Sequence, residues 1–496
     1  MDWILNKILF TSFILTSLFI SSSMAQVTKR DQAKQLYESL VKLPPTKLEL
    51  DFVETYIENN DYETVASIII DPHSPSAPAN HPINSMGAFY SVNLQNMVSR
   101  WTNTESSAQV PLNDMTASIL GQVKENRSFK KLFYEDIYYL VSGVVGSQYF
   151  AFQLPNYPSN SILPSNIPTS ARPQAACAEV ISNTQNANSK VFVYYQNPTN
   201  PNNPADKGCR VSNNYTMSRI NTCKGVDCLY VPNQDFLLDA GIKVQTSNSH
   251  FSEFEQGYFD LSESNILQRT SQMGTSTERE GAIAGIFSMR AWGASYYSAG
   301  TNRRAVAFAM KNFMCKEMEE LNDTTIPDFR VRRDVDRAPG DQPLIFQTKC
   351  VGCHAGMDAL GGAFAYYNFP AGAIDYEEGV VVEKMYHNPV YANGYVTNDD
   401  SFINLWTQGK NADLGWRGPA SGNGARMFGQ AITQSDAFDT CMTKQVADSV
   451  CSKVKYTVSE DQYSDIIAKY ASEFRSHENL KKLFIDLATE CTKAYQ

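Results

Sequence analysis

A basic excess is missing from this chain. Against 52 Asp and Glu stand 42 Lys and Arg, for a formal net charge of −10. No basic stripe is present that would track a nucleic-acid backbone or an anionic lipid surface, so neither is expected as a partner. Beyond the N-terminus no apolar stretch approaches the ~18 residues that argue for a membrane-spanning helix, and no integral span is expected after signal cleavage. The short signatures of several enzyme classes are also absent. The sequence holds no G-x-S-x-G, no H-E-x-x-H, no P-loop and no compact G-x-G-x-x-G. Gly422-x-Gly424 lacks a third glycine at the right spacing and follows no clear strand. Histidine is scarce, with 6 in 496 residues, so a histidine standing beside cysteines carries weight.

Such a place exists at Cys350-Val351-Gly352-Cys353-His354. It is one C-x-x-C-H, the attachment signature of c-type haem. Two thiols three positions apart on a helical turn can each add to a haem vinyl group. The next residue presents an imidazole to the iron as proximal ligand. From 10 Cys and 6 His, chance supplies such a pentad about 0.002 times. The blander alternative is a disulfide or half a metal knuckle beside an incidental histidine. One covalent haem c, with its iron, is therefore the expected cofactor: Cys350 and Cys353 are the anchors and His354 the iron ligand.

The N-terminus agrees with covalent haem. Lys7 precedes an apolar run from Ile8 to Ile20, and Ser21-Ser22-Ser23-Met24-Ala25 supplies small residues for cleavage. Residues 1–25 read as a secretory signal peptide, with Gln26 as the first mature residue and an uncleaved anchor as the alternative. No Cys follows the run, which speaks against a lipid-anchored precursor. An exported protein of the bacterial periplasm or cell surface is expected. Apart from the haem pair there are Cys177, Cys209, Cys223, Cys228, Cys315, Cys441, Cys451 and Cys491. An even remainder suits disulfides in an oxidising space. The short-range expectations are Cys223–Cys228 and Cys441–Cys451, with a zinc site at Cys223 and Cys228 as the alternative.

The hydrophobic fraction of 43% and aromatic fraction of 11% are globular values. The expected fold is mainly α: a helical N-terminal region, an irregular Asn/Pro-rich insertion with some β, and a C-terminal cytochrome c-like helical domain. The expected divisions are 26–150 (helical), 151–250 (insertion, disulfide-containing), 251–340 (helical, preceding the haem motif) and 341–496 (haem domain with C-terminal helices). Thr46 and Glu49 form a capping box, with Leu48, Phe52, Val53, Tyr56 and Ile57 on one face of the helix that follows. Residues 113–143 read as two helices broken near Asn126-Arg127-Ser128. Val191 to Tyr195 reads as a strand within the Asn/Pro/Ser-rich stretch. Residues 303–320 read as helix with Val306, Met310, Phe313 and Met314 inward. The tail from Ser459 reads as two helices, with a Ser459/Gln462 capping box and a stripe of Tyr463, Ile467, Tyr470 and Phe474.

Around the motif, Pro343 suits a helix start and Gly361-Gly362 its end. Cys350, Cys353, His354 and Met357 then share a face. Met357 lies one turn from His354 on the same side, so it suits packing on the haem edge rather than ligation. The distal ligand stays open. Met385, Met427 and His387 are candidates, as is a distal side without a protein ligand. His73, His81, His250 and His477 are scattered, and His73 and His81 are expected at the surface.

The run CVGCHAGMDALGGAFAYYNF, from Cys350 to Phe369, resembles the haem segment of planctomycete-type exported cytochrome c domain proteins, whose pattern is roughly CxxCHxxMDPLGxxxENFD. Ala359 stands where that pattern has Pro, and the Glu-Asn-Phe-Asp element is reduced to Tyr367-Asn368-Phe369-Pro370. Gly300 to Arg304 leading to Asn312-Phe313-Met314-Cys315 is similar to their Arg-rich helix ending in Leu-Cys. Arg279 to Gly285 is similar to their Gly-containing segment. Ser435 to Cys441 is similar to their Ser-x-x-Phe-x-x-Cys helix, and Leu43 to Thr46 with Pro111 to Phe133 resembles a helical domain of the same proteins. The resemblance implies haem c and export, and no reaction.

The expected function is single-electron transfer by an exported c-type cytochrome, with an unidentified redox protein as partner. A haem-dependent periplasmic oxidoreductase or peroxidase-like enzyme is the alternative, since about 300 residues exceed what electron carriage needs. A surface or binding protein with structural haem is a further one.

Overall fold

The computed structural model describes residues 27–85, 87–105, 107, 110–141, 191–196, 207–212, 227–232, 261, 266–272, 280–370, 374–386, 389–452, 455 and 458–494. The expected signal peptide, Cys177, Cys223, His250 and His387 lie outside them, and with them the Cys223–Cys228 pairing and its zinc alternative. The described protein is mainly helical, with 57% helix and 6% strand.

The chain opens with α1 (Lys29–Val41), α2 (Lys47–Glu58) and α3 (Tyr62–Ile70). The Thr46/Glu49 capping box is formed at the start of α2. Val53 and Ile57 are buried and Phe52 and Tyr56 pack at the core's edge. Leu48, expected inward, is exposed instead; in the first turn after Thr46 it is Glu49 that points into the protein, where Tyr37 donates to it. A π-helical stretch Phe89–Leu94 runs into α4 (Gln95–Ser99), and Asn113 caps α5 (Asp114–Lys124).

The second helix expected within 113–143 does not form. After a 3-10 turn at Lys130–Phe133 the chain becomes β1 (Tyr138–Val141). A distant partner decides this. β1 pairs antiparallel with β5 (Leu267–Thr270), Tyr138 opposite Thr270 and Val141 opposite Leu267. Between them, the expected strand at 191–195 is β2 (Val191–Gln196), central in an antiparallel sheet with β3 (Lys207–Ser212) and β4 (Asp227–Pro232).

Next come α6 (Arg290–Tyr296) and α7 (Arg303–Met314). The expected inward face of α7 is buried, but the helix ends at Met314 rather than near residue 320. Cys315 takes a left-handed conformation (φ 52°) that stops it. A helical turn at Pro343–Ile345 passes through a π-helical turn, Phe346–Cys350, into α8 (Val351–Gly361). Two small hairpins follow: β6 (Tyr367–Asn368) with β7 (Asp375–Tyr376), and β8 (Ser401–Ile403) with β9 (Ser421–Asn423). The chain closes with α9 (Gly424–Thr433), α10 (Asp436–Val450), α11 (Glu460–His477) and α12 (Leu480–Ala494). The Ser459/Gln462 capping box starts α11.

One apolar core runs from Ala33 to Cys491. Aromatic rings knit the N- and C-terminal helices into it. Phe89 meets Phe484 at 5.0 Å, while Phe133 meets Phe313 at 4.8 Å and Phe438 at 5.1 Å, all edge-on.

Among the described residues two disulfides are formed, Cys315–Cys441 and Cys451–Cys491. The expected Cys441–Cys451 pairing is therefore wrong. Cys441 lies inside α10 and Cys451 caps it, so ten residues of helix hold them ~15 Å apart, beyond the ~7 Å limit for bridging Cα atoms. Each reaches a different helix instead.

Candidate functional site

The C-x-x-C-H pentad sits where the π-helical turn Phe346–Cys350 passes into α8. Two glycines let this helix lie close to its neighbours. A Cβ on Gly352 would stand 1.8 Å from Asn322 Oδ1 and 2.9 Å from the Asp323 amide nitrogen. The Asp323 amide donates to the Gly352 carbonyl at 3.1 Å. A Cβ on Gly356 would stand 2.2 Å from the Trp406 indole. These contacts hold one side of α8 against the protein and leave Cys350, Cys353 and His354 half-buried on the other.

Cys350 and Cys353 are free thiols. Cys353 Sγ approaches the Met318 carbonyl at 3.3 Å, and burial, followed by the charge of Glu319, pushes the thiol up from its ordinary range. His354 keeps about a quarter of its side chain exposed, while its Nδ1 is turned to Asp358 Oδ1 at 3.6 Å. That nitrogen is buried and makes no hydrogen bond. Met357, expected beside the haem edge, is buried on the same helix.

Asp358 was not singled out by the sequence. Its side chain is fully buried, where it accepts from Arg303 Nε at 2.5 Å and Nη2 at 2.9 Å, and from the Arg332 amide at 3.0 Å. Burial favours the neutral acid, but the charge of Arg332 and the hydrogen bond from Arg303 outweigh it and hold the carboxyl far below the usual range. Arg303 also grips Asp334 through both terminal nitrogens, at 2.6 and 2.7 Å. The cue was the i, i+4 spacing of His354 and Asp358 on a helix, together with the Arg-rich run Arg330 to Arg337.

Beside this face opens a cavity of about 710 Å³, lined in part by Gln347 and Val351 of the motif helix, Phe329, Arg337, Tyr391 and Tyr395. Gln347 and Val351 lie one turn before Cys350 and His354, so the cavity borders the pentad. Its volume falls within the range of small-molecule and cofactor sites. The Arg337 guanidinium lies between the Phe346 and Tyr391 rings, 4.5 and 4.9 Å from their centroids. Of the lining residues Phe329 is 56% exposed; Leu344 and Val390, also exposed, neighbour the lining residues Pro343 and Tyr391 in sequence.

The distal candidates are spread out. Met385 is buried with Ala365, Tyr366 and Val381, and its sulfur accepts from Arg332 Nη1 at 3.1 Å. Since Arg332 also faces Asp358, this sulfur belongs to the network on the Nδ1 side of His354. Met427 lies in α9 and packs over Gly422 of β9. His73 is exposed as expected, whereas His81 is half-buried and bonded to the Pro72 carbonyl at 2.8 Å.

The donor set fits a covalently held haem. Two thiols outside disulfides, an imidazole with one nitrogen turned to a carboxylate, and an adjoining cavity lined in part by aromatic and aliphatic side chains suit that group. Among the described residues no cluster of three or more His, Cys, Asp or Glu side chains is arranged to hold a metal ion unaided, and no helix there is long and apolar enough to cross a membrane. No family model, curated protein or solved structure matches this chain.

Proposed function

We propose that this protein is an exported c-type cytochrome that carries one covalent haem and passes single electrons to a partner protein. Cys350 and Cys353 hold the group by thioether bonds, and His354 supplies the proximal nitrogen. The bound group contributes one-electron redox chemistry; the chain fixes its position and surroundings. One observation carries the reading: two free thiols and a part-exposed imidazole share a helix face beside a cavity lined in part by the exposed Phe329 and Tyr391. Of the eight large apolar side chains exposed among the described residues, six fall between Phe329 and Tyr391. Phe329 and Tyr391, both exposed and both lining the cavity, suit an apolar body laid against them. The surplus of acidic residues suits a basic redox partner.

The test is a pyridine haemochrome assay on the exported protein after acid-acetone extraction. Retained haem with a two-thioether spectrum is expected. Loss of all haem on extraction from the wild-type chain would refute covalent attachment, as would retention by the Cys350→Ser/Cys353→Ser double variant. His354→Ala should abolish the normal redox spectrum.

A second reading, a haem-dependent oxidoreductase with an open iron face, is favoured by the engagement of the Met385 sulfur with Arg332. A six-coordinate low-spin spectrum with a thioether–iron charge-transfer band supports electron transfer. A high-spin spectrum that changes on adding peroxide or CO supports the oxidoreductase.

A further inference from the structure

We infer that Asp358 is a positioning residue for the His354 imidazole: its buried carboxylate takes the hydrogen bond of Nδ1–H, which fixes the tautomer and leaves Nε2 as the basic donor. The inference rests on the haem reading for its consequence, although the contact itself does not need haem. Asp358 stands four residues after His354 on α8, so the two side chains meet on one face. Oδ1 lies 3.6 Å from Nδ1, just beyond hydrogen-bond distance. Nδ1 is buried and makes no other hydrogen bond; as a donor left unpaired it would cost about 1–3 kcal/mol. The carboxylate is the acceptor at hand.

The carboxylate cannot swing away to meet another group. Arg303 holds it from α7 at 2.5 and 2.9 Å, and the Arg332 amide holds Oδ2 at 3.0 Å. Arg303 is itself locked by Asp334. Two arginines and two aspartates thus form a nearly neutral buried group, in which Asp358 stays anionic without being an isolated charge. Because both cations draw on its electron density, the carboxylate accepts the imidazole proton in a hydrogen bond without removing it. A carboxylate behind a metal-bound histidine orients the ring and raises its basicity, and a more basic ligand favours the oxidised iron.

The experiment has two arms. In the haem-free full-length chain, nitrogen NMR of labelled histidine, at a pH where the imidazole is neutral, should show His354 as the Nδ1–H tautomer. The Nε2–H tautomer in the wild-type chain overturns the proposal by itself, with no variant required. In the haem-loaded protein, Asp358→Asn should raise the ferrous-to-ferric ratio at fixed ambient potential about tenfold, equivalent to 59 mV for one electron. It should also weaken the iron–histidine stretching band. An unchanged potential and band in a folded Asp358→Asn protein would overturn the electronic role. Asp334→Asn, which loosens Arg303 and leaves Asp358 in place, should move both readouts the same way by less; an equal or larger shift would place the control with Arg303 instead. If no haem attaches, the cofactor reading fails, while the tautomer measurement still decides the role of Asp358.

Discussion

Cys315, the residue that ends α7, is bonded to Cys441 within α10, with Cα atoms 5.3 Å apart and a sequence separation of 126. The bond ties the helix carrying Arg303, which holds Asp358, to the C-terminal helices. Ser435 caps α10 by accepting from the Phe438 amide at 3.1 Å, which sets the register that brings Cys441 over Cys315.

Breaking this bond should cost stability without touching the pentad. Replacing Cys315 and Cys441 together by Ser should lower the unfolding free energy by about 2–5 kcal/mol, since a long loop is freed in the unfolded chain. Denaturant titration of the oxidised wild-type and variant proteins measures it. Alkylation without reduction, followed by peptide mass spectrometry, should recover Cys315 joined to Cys441 and Cys451 joined to Cys491. A Cys441–Cys451 peptide would contradict the structure.

What could be read from sequence follows the range of the forces involved. The capping boxes at Thr46/Glu49 and Ser459/Gln462 span three residues each and are formed as expected. The inward face of α7 needs only helical spacing. Residues 138–141 read as helix because their strand partner lies at 267–270, which no local pattern reveals. The end of α7 at Cys315 and the exposure of Leu48 depend likewise on distant packing. At the site, the fixed spacing of Cys350, Cys353 and His354 singled them out in the sequence, and the fold keeps the three on one helical segment with both thiols free. Asp358, four residues after His354, was not singled out; its arginines come from 303 and 332, and only the fold brings them to it.

Glu49 offers a pH test of the N-terminal helices. Its buried carboxylate accepts from the Thr46 amide at 2.8 Å, the Tyr37 hydroxyl at 2.8 Å and the Asn84 amide at 3.0 Å. Burial pushes its pKa up, but these hydrogen bonds prevail and hold it below the ordinary 4.5. A depressed folded pKa contributes stability that is complete above the unfolded value and is lost as pH falls through the folded one. Glu49→Gln should therefore cost about 1–3 kcal/mol near neutrality. The gap between wild type and variant should narrow as pH drops below 4.5; thermal melts of both across that range check it. A gap independent of pH would contradict the assignment.

Gly352 tests how closely the pentad must approach its neighbours. An alanine Cβ there would meet Asn322 Oδ1 and the Asp323 backbone. Gly352→Ala should destabilise by about 1–3 kcal/mol, as overpacking does, and should reduce the yield of haem-loaded protein. Asn322→Ala removes the side-chain half of the clash and leaves the backbone half. The double variant should recover part of the loss, measured as unfolding free energy and as haem per chain.

Phe329, which lines the cavity, and Leu344, next in sequence to the lining residue Pro343, test whether this surface covers haem. Phe329 and Leu344 are more than half exposed in the protein as described, so serine at either position should change the stability of haem-free chain by no more than about 0.5 kcal/mol. Where a tetrapyrrole lies against them, each loses contact with water only in the loaded protein. Burying such side chains is worth about 1.5–3 kcal/mol when complete, and partial cover gives roughly 1 kcal/mol. Phe329→Ser and Leu344→Ser should each therefore shrink the difference in unfolding free energy between loaded and haem-free chain by roughly that amount. Chains made with and without the haem-attachment machinery, unfolded side by side in denaturant, provide the comparison. Equal losses in both forms would mean that these side chains pack against protein alone, and the cavity beside Val351 would then have no part in holding the cofactor.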